Sequence, residues 1–180
     1  MKIRIKEIAT RKNLLRIMKE VSRRMLEIKK HVIDPYEVYF SNKNLSEIIG
    51  KIMEKVASDV FTKSLGYEVK NAKADREPDL FFTKINLPME IKVTSTTNAW
   101  TGGEFSQRPF DYFLVSWGGN FDEFFVCCVK LKKEDWKSNM SKNFYGPSLS
   151  LNKLKTIKDK IILIGKIDNH GKMIRERIIR

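Results

Sequence analysis

Asp79, Glu90 and Lys92 are the residues of this chain whose types and spacing carry chemistry. Asp79 precedes the apolar run Leu80-Phe81-Phe82, and Glu90 and Lys92 alternate with Met89, Ile91 and Val93 in a second run. Both runs read as short strands, and Lys84-Ile85-Asn86-Leu87-Pro88 between them reads as a tight connection. Residues two apart on a strand point to one side, so Glu90 and Lys92 project together while Ile91 and Val93 face away. Pairing of the two strands as a hairpin lets Asp79 join them. Two carboxylates and one ammonium then meet at one point on a sheet. Clustered carboxylates repel unless a cation sits between them, and a hard divalent ion such as Mg²⁺ prefers oxygen ligands of this kind. The lysine can stabilise charge developing on a phosphate or orient an attacking water. The plainer alternative is a hairpin with surface charges, where Glu90 and Lys92 form a weak pair on one face.

The elements that must position these groups follow from periodicity. Leu14, Met18, Val21, Met25, Ile28 and Val32 recur at alternating steps of four and three, which predicts a helix over 10–31. Thr10 is its N-cap and Asp34-Pro35 its stop. Its other faces are basic, with Arg11, Lys12, Arg16, Lys19, Arg23, Arg24, Lys29 and Lys30. The apolar seam pairs with a second subunit or packs on the chain's own body, and either choice leaves the basic faces open to phosphate. A second helix is expected over 44–65, ending at Gly66 as a C′ residue. Leu45, Ile49, Ile52, Val56 and Val60 form one stripe of it, and Gly50, Glu54, Phe61 and Leu65 lie opposite. Strands are expected at 67–72, 80–83 and 89–95, then a short helical or looped stretch from Trp100 to Arg108. Two more strands, 110–117 and 123–131, flank Gly118-Gly119-Asn120 as a hairpin loop.

Pro78-Asp79 followed by Glu90-Ile91-Lys92 resembles the complete signature of the PD-(D/E)xK nuclease superfamily. The order helix, three strands, helix, strand, strand over about 44–131 is similar to the common core of that superfamily. The resemblance implies an α/β fold with a restriction-endonuclease-like αβββαβ core, a mixed central sheet flanked by helices. It divides the chain into an added N-terminal basic helix, 1–35, and a nuclease domain, 36–180, whose last part, 132–180, is an extension. It also implies that Asp79 and Glu90 hold Mg²⁺ and that Lys92 assists the attacking water. Many members add a carboxylate from the first core helix, for which Glu54 and Glu47 are the candidates. Gly50-x-x-x-Glu54 with Gly66-Tyr67 resembles the Gly-x-x-x-Glu…Gly-aromatic pattern of archaeal Holliday-junction resolvases. Glu54 is therefore preferred as the third catalytic and metal-site residue. Glu47 has an ordinary role available, as partner of Asn44 in a capping box.

Charge points the same way. The net +13 is concentrated at the two ends: residues 1–30 carry eleven Lys/Arg against three Asp/Glu, and residues 151–180 carry nine against three. A basic excess of this kind suits a polyanion. The basic segments lack Trp/Phe anchors for a membrane surface, no apolar run reaches spanning length, and the N-terminus lacks a signal-peptide core. A cytoplasmic, soluble protein with no membrane partner is expected. Cys127 and Cys128 are adjacent in an apolar run and read as two small buried thiols, while His31 and His170 are isolated, so no His-based zinc or catalytic cluster is expected.

Beyond the catalytic strand, Thr94, Ser95, Thr97 and Asn98, and later Gln107 and Arg108, supply short polar groups suited to phosphate and base-edge contacts. Ordinary turn chemistry accounts for them equally well. The polar and aromatic segment 134–148 follows the last core strand, where restriction endonucleases, by resemblance, carry target-recognition loops. The expectation is a Mg²⁺-dependent, sequence-specific double-stranded DNA endonuclease similar to small type II restriction enzymes, acting as a homodimer. The rivals are a Holliday-junction resolvase-like enzyme and a non-catalytic DNA-binding module.

Overall fold

A computed structural model describes residues 5–72, 77–95, 99–102, 109–137, 140–141, 144–157, 161–167 and 173–179. After the short α1 (Ile5–Ile8), Thr10 caps α2 (Arg11–Ile28) by accepting the Asn13 N–H at 3.3 Å. The apolar stripe of α2 turns inward: Leu14, Ile17, Met18, Val21 and Met25 are buried in the chain's own core. Val32, at the end of the expected seam, is 41% exposed.

Two boundaries differ from expectation. Asp34-Pro35 does not stop the helical path. A π-helical turn, Lys29–Ile33, leads directly into α3 (Asp34–Tyr36), and the chain reverses at Glu37 with a left-handed φ of 49°. Proline is tolerated in a first helical turn, where its missing N–H has no partner to lose. Asp34-Pro35 therefore opens a turn where a stop was expected. The second correction concerns α4 (Asn42–Leu65): Ser41, not Asn44, is its N-cap, accepting the Asn44 N–H at 3.2 Å. Glu47 thus takes no part in a capping box and pairs loosely with Lys43 at 3.9 Å. At the other end Gly66 closes α4 with φ 72°, a conformation that a Cβ disfavours.

The strands are β1 (Val69–Asn71), β2 (Leu80–Phe82), β3 (Leu87–Thr94), β4 (Ala99–Thr101), β5 (Phe110–Gly118), β6 (Glu123–Leu131), β7 (Met140–Ser141), β8 (Phe144–Tyr145), β9 (Ser148–Ser150), β10 (Ile161–Ile167) and β11 (Met173–Ile179). Seven of them form one sheet in the order β1-β2-β3-β5-β6-β10-β11. Every neighbouring pair is antiparallel except β3 and β5. The protein is thus mixed α/β, with a mostly antiparallel central sheet flanked by helices. The expected helix between β3 and β5 is not found among the described residues. Trp100 lies instead in β4, which pairs with β9, and residues 103–108 lie outside the described set. The extension after 131 adds to the sheet: β10 pairs along β6, and β11 pairs with β10.

β5 and β6 are buried on both faces, which is why their apolar runs are almost unbroken. Phe113, Val115, Phe124, Val126 and Cys128 face the core shared with α2 and α4. Tyr112, Leu114, Phe125, Cys127 and Val129 face a second core closed by Trp100, Trp136, Leu149 and Leu154, the last from α5 (Leu151–Thr156). Cys127 and Cys128 are both buried, as expected.

Polar tethers fix α4 in place. Ser58 Oγ donates to Val69 O at 2.5 Å, and Thr62 Oγ1 accepts Val69 N–H at 2.9 Å, so α4 is pinned to β1. Asn13 Nδ2 donates to Ile8 O at 3.0 Å and to Ser64 Oγ at 3.1 Å, which sets the start of α2 against the end of α4. Asn13→Ala leaves buried acceptors unpaired and should cost about 1–3 kcal/mol in urea denaturation.

Candidate active site

The site arises from a mismatch in strand length. β2 pairs with β3 only from Leu80↔Met89 to Phe82↔Leu87, whereas β3 pairs with β5 from Met89 to Thr94. From Glu90 onward β3 therefore has no strand on its β2 side. Asp79, just before β2, fills the first vacancy: its Oδ2 accepts the Ile91 N–H at 2.7 Å. The carboxyl group is thereby held at the end of the hairpin by the backbone it borders.

Alternation along β3 divides its side chains. Met89, Ile91 and Val93 pack into the helix-side core, and Glu90 lies beside Tyr112, its cross-strand neighbour in the second core. Glu90 is only 4% exposed. Its Oε1 accepts from Lys92 Nζ at 2.6 Å, while its Oε2 is buried without a hydrogen-bond partner. A buried carboxylate oxygen in that state is costly and marks a place where a further group belongs. Burial raises the Glu90 pKa above the ordinary carboxylate range; the charge of Lys92 opposes this and that of Asp79 adds to it.

From the other side, α4 contributes Glu54, whose side chain is 13% exposed and accepts from Lys51 Nζ at 2.7 Å. Burial raises the Glu54 pKa first, the Lys51 hydrogen bond lowers it, and the charge of Asp79 raises it. Lys51 has its own pKa raised, first by the bond to Glu54 and further by Asp79 and Glu90. Asp79, Glu90, Glu54, Lys92 and Lys51 thus share one electrostatic neighbourhood. A cleft of about 1010 Å³ opens here, with Lys51 and Glu54 on the α4 wall and Asp79, Lys92, Thr94 and Ser95 on the strand wall.

The structure brings together Asp79, Glu90, Lys92 and Glu54, and it puts Thr94 and Ser95 along the same cleft. Glu47 also borders the cleft but points its carboxylate toward Lys43. Thr97, Asn98, Gln107 and Arg108 lie outside the described residues. Lys51 does not stand out in the sequence, although its position three residues before Glu54 places the two on one helical face. A Cβ on Gly50 would meet Val93 Cγ2 at 3.8 Å, an ordinary contact, so packing does not demand glycine there.

Among the described residues no three His, Cys, Asp or Glu side chains form a group able to hold a metal ion. Magnesium commonly takes one or two carboxylates and completes its octahedron with water and substrate phosphate. The Asp79–Glu90 pair, with its unpartnered Oε2, fits that requirement, and Glu54 stands near enough to interact electrostatically without completing a ligand set. No helix among the described residues is long and apolar enough to cross a membrane. No protein-family model matches the chain, and no curated protein is significantly similar to it.

Proposed function

We propose that this protein is a Mg²⁺-dependent endodeoxyribonuclease of PD-(D/E)xK type, hydrolysing phosphodiester bonds at the notch where β3 outruns β2. One observation carries the reading: Asp79 and Lys92 line one cleft, and Glu90, bonded to Lys92 just behind it, has a buried oxygen with no partner. The hairpin, its parallel neighbour β5 and the preceding α4 support a restriction-endonuclease-like core in which these residues have their customary places.

Asp79 and Glu90 would hold magnesium, with Glu54 in support. The bound ion supplies Lewis-acid polarisation of a phosphoryl oxygen and a more acidic water. Asp79 keeps its orientation through the Ile91 N–H, so the carboxylate needs no rearrangement to receive a cation. Lys92 favours the ionised form of the buried Glu90 and offers its ammonium to the attacking water or to the charged phosphorane-like transition state. Lys51, across the cleft, meets a non-bridging phosphate oxygen. Thr94 and Ser95 give further phosphate contacts along the strand wall.

Cleavage of duplex DNA by a two-fold dimer, as in type II site-specific enzymes, is the first reading of substrate. A structure-specific nuclease acting on junctions is the second. It is favoured by Glu54, the carboxylate of the Gly50-x-x-x-Glu54 pattern, which lines the cleft together with Asp79. Supercoiled plasmid and a four-way junction, each with and without Mg²⁺, separate the readings. Discrete plasmid fragments support the first and symmetric junction cuts the second. Retention of DNA without any cleavage overturns the hydrolytic assignment.

The basic faces of α2 give a further expectation. Arg23 and Arg24 both bind Glu20, at 2.8 and 2.9 Å, and hold its pKa down to about 2. Lys12, Arg16 and Lys19 are exposed on the same helix. Replacing these three by Ala should weaken DNA binding for every sequence alike and reduce the salt slope by about 0.9 for each phosphate they neutralise. An unchanged slope assigns α2 to packing alone.

A further inference from the structure

Two buried polar atoms lie on neighbouring strands without a hydrogen-bond partner, and each is what the other lacks. One is Glu90 Oε2 and the other is the Tyr112 hydroxyl. β3 and β5 run parallel with Glu90 directly in register with Tyr112. Met89 and Ile91 pack into the core shared with α2 and α4, so Glu90 between them projects to the opposite face, where Tyr112 lies. Both side chains are buried. The Tyr112 ring is braced by Trp136, edge-on at 62° with centroids 5.3 Å apart. Among the described residues, the other buried hydroxyls without a partner, Tyr67 and Ser116, are not in register with Glu90.

We propose that Tyr112 is the positioning residue for Glu90: its hydroxyl donates to Oε2 and fixes the rotation of the carboxylate as a cation binds. The proposal deepens the nuclease reading and rests on its metal site. An ionised carboxylate only accepts, at about four sites on its two oxygens, whereas a protonated phenol brings one donor. Lys92 takes one site on Oε1. The phenol takes one on Oε2 and leaves the rest of the carboxylate to the cation. Burial pushes the Tyr112 pKa up and the charge of Glu90 pushes it further, so the phenol keeps its proton beside the carboxylate. Adjacent strands stand about 5 Å apart, and the last torsion of a glutamate is soft, so a small turn of the carboxylate closes the contact. Hydrogen bonds within active sites are commonly long before a ligand binds and tighten in the complex. Lys92 lines the cleft while Tyr112 is wholly buried, so the two donors hold Glu90 from its open and its covered side.

The test is Mn²⁺ binding by wild type and Tyr112→Phe in the absence of DNA, read from the electron paramagnetic resonance signal of the free ion. Mn²⁺ takes the same hard oxygen ligands as Mg²⁺. Phenylalanine keeps the ring against Trp136 and removes one oxygen, so the variant folds; a thermal melt verifies it, and the titration is run well below that melt. Tyr112→Phe should weaken Mn²⁺ binding by about 10- to 100-fold, the usual cost of losing a group that orients a metal ligand. In cleavage assays the Mg²⁺ concentration for half-maximal rate should rise by about the same factor, while KM for DNA stays within about twofold. A ring that only fills the core moves neither metal measurement. Equal Mn²⁺ affinity in the two proteins overturns the positioning role and leaves the nuclease reading standing. Metal binding that depends on Tyr112 in a wild type that cleaves no DNA keeps the positioning role and overturns the hydrolytic reading. A wild type that binds no Mn²⁺ removes both proposals together.

Discussion

Lys92→Met should lower single-turnover DNA cleavage by about 10²- to 10⁴-fold while leaving DNA affinity in EDTA nearly unchanged. The ammonium does two things at once. It lies 2.6 Å from Glu90 Oε1, and its charge is the largest influence opposing the rise that burial imposes on that carboxyl's pKa. Its removal deprives the transition state of a cation fixed beside a buried carboxylate. It also lets burial and the charge of Asp79 push the Glu90 pKa higher still. The residual activity of the variant should therefore have its acid limb displaced toward alkaline pH relative to the wild type. A purely structural role for Lys92 would lower the rate without that displacement. Full activity in Lys92→Met contradicts the role assigned to it.

Glu90→Gln should abolish cleavage, by about 10³-fold or more, and at the same time stabilise the fold. The rate loss follows from removing one of two carboxylates suited to the cation, an interaction supplying several kcal/mol in the transition state. Stabilisation follows from the sign of the pKa shift. The folded-state pKa of Glu90 is raised, first by burial, so its contribution to stability is fully present below the ordinary carboxylate value. That contribution is lost as pH rises through the raised value. A carboxamide never ionises and escapes that loss. The variant's advantage should be near zero at about pH 4 and grow to about 1 kcal/mol at neutral pH, or about 2–4 °C in Tm. Glu54 is raised in the same direction, so its own contribution is lost over the same interval. A Glu90→Gln melt that coincides with wild type at every pH would show that the carboxyl group is not held in a desolvated setting.

Local rules make much of this arrangement legible in the sequence. Thr10 as a cap, Gly66 as a left-handed terminator and the hairpin of β2 and β3 all follow from side-chain chemistry within a few residues. The strand expected at 123–131 has the bounds of β6, because its apolar run ends abruptly at charged neighbours. Long-range partners are harder to read. The stripe on α2 could serve a second subunit or the chain itself, and only the packing against α4 decides. Asp34-Pro35 looks like a stop because the same proline chemistry suits a helix's first turn. Trp100 is expected in a helix or loop, but its strand pairs with Ala99↔Ser150, a partner about fifty residues away that local pattern does not reveal. At the site, the three signature residues are visible from alternation alone. Lys51 is not, since a lysine near a glutamate on a helix ordinarily means a solvated pair and only the cleft gives it a direction.

The most direct measurement is cleavage of a supercoiled plasmid by wild type and by Asp79→Ala, purified alike and run side by side in Mg²⁺ and in EDTA. Wild type with Mg²⁺ should nick or linearise the plasmid. Asp79→Ala with Mg²⁺ and wild type with EDTA should both leave it intact, while the variant keeps its melt and its DNA affinity. Equal cleavage by wild type and Asp79→Ala, or cleavage that persists in EDTA, would contradict a carboxylate-held magnesium site at the β2–β3 notch.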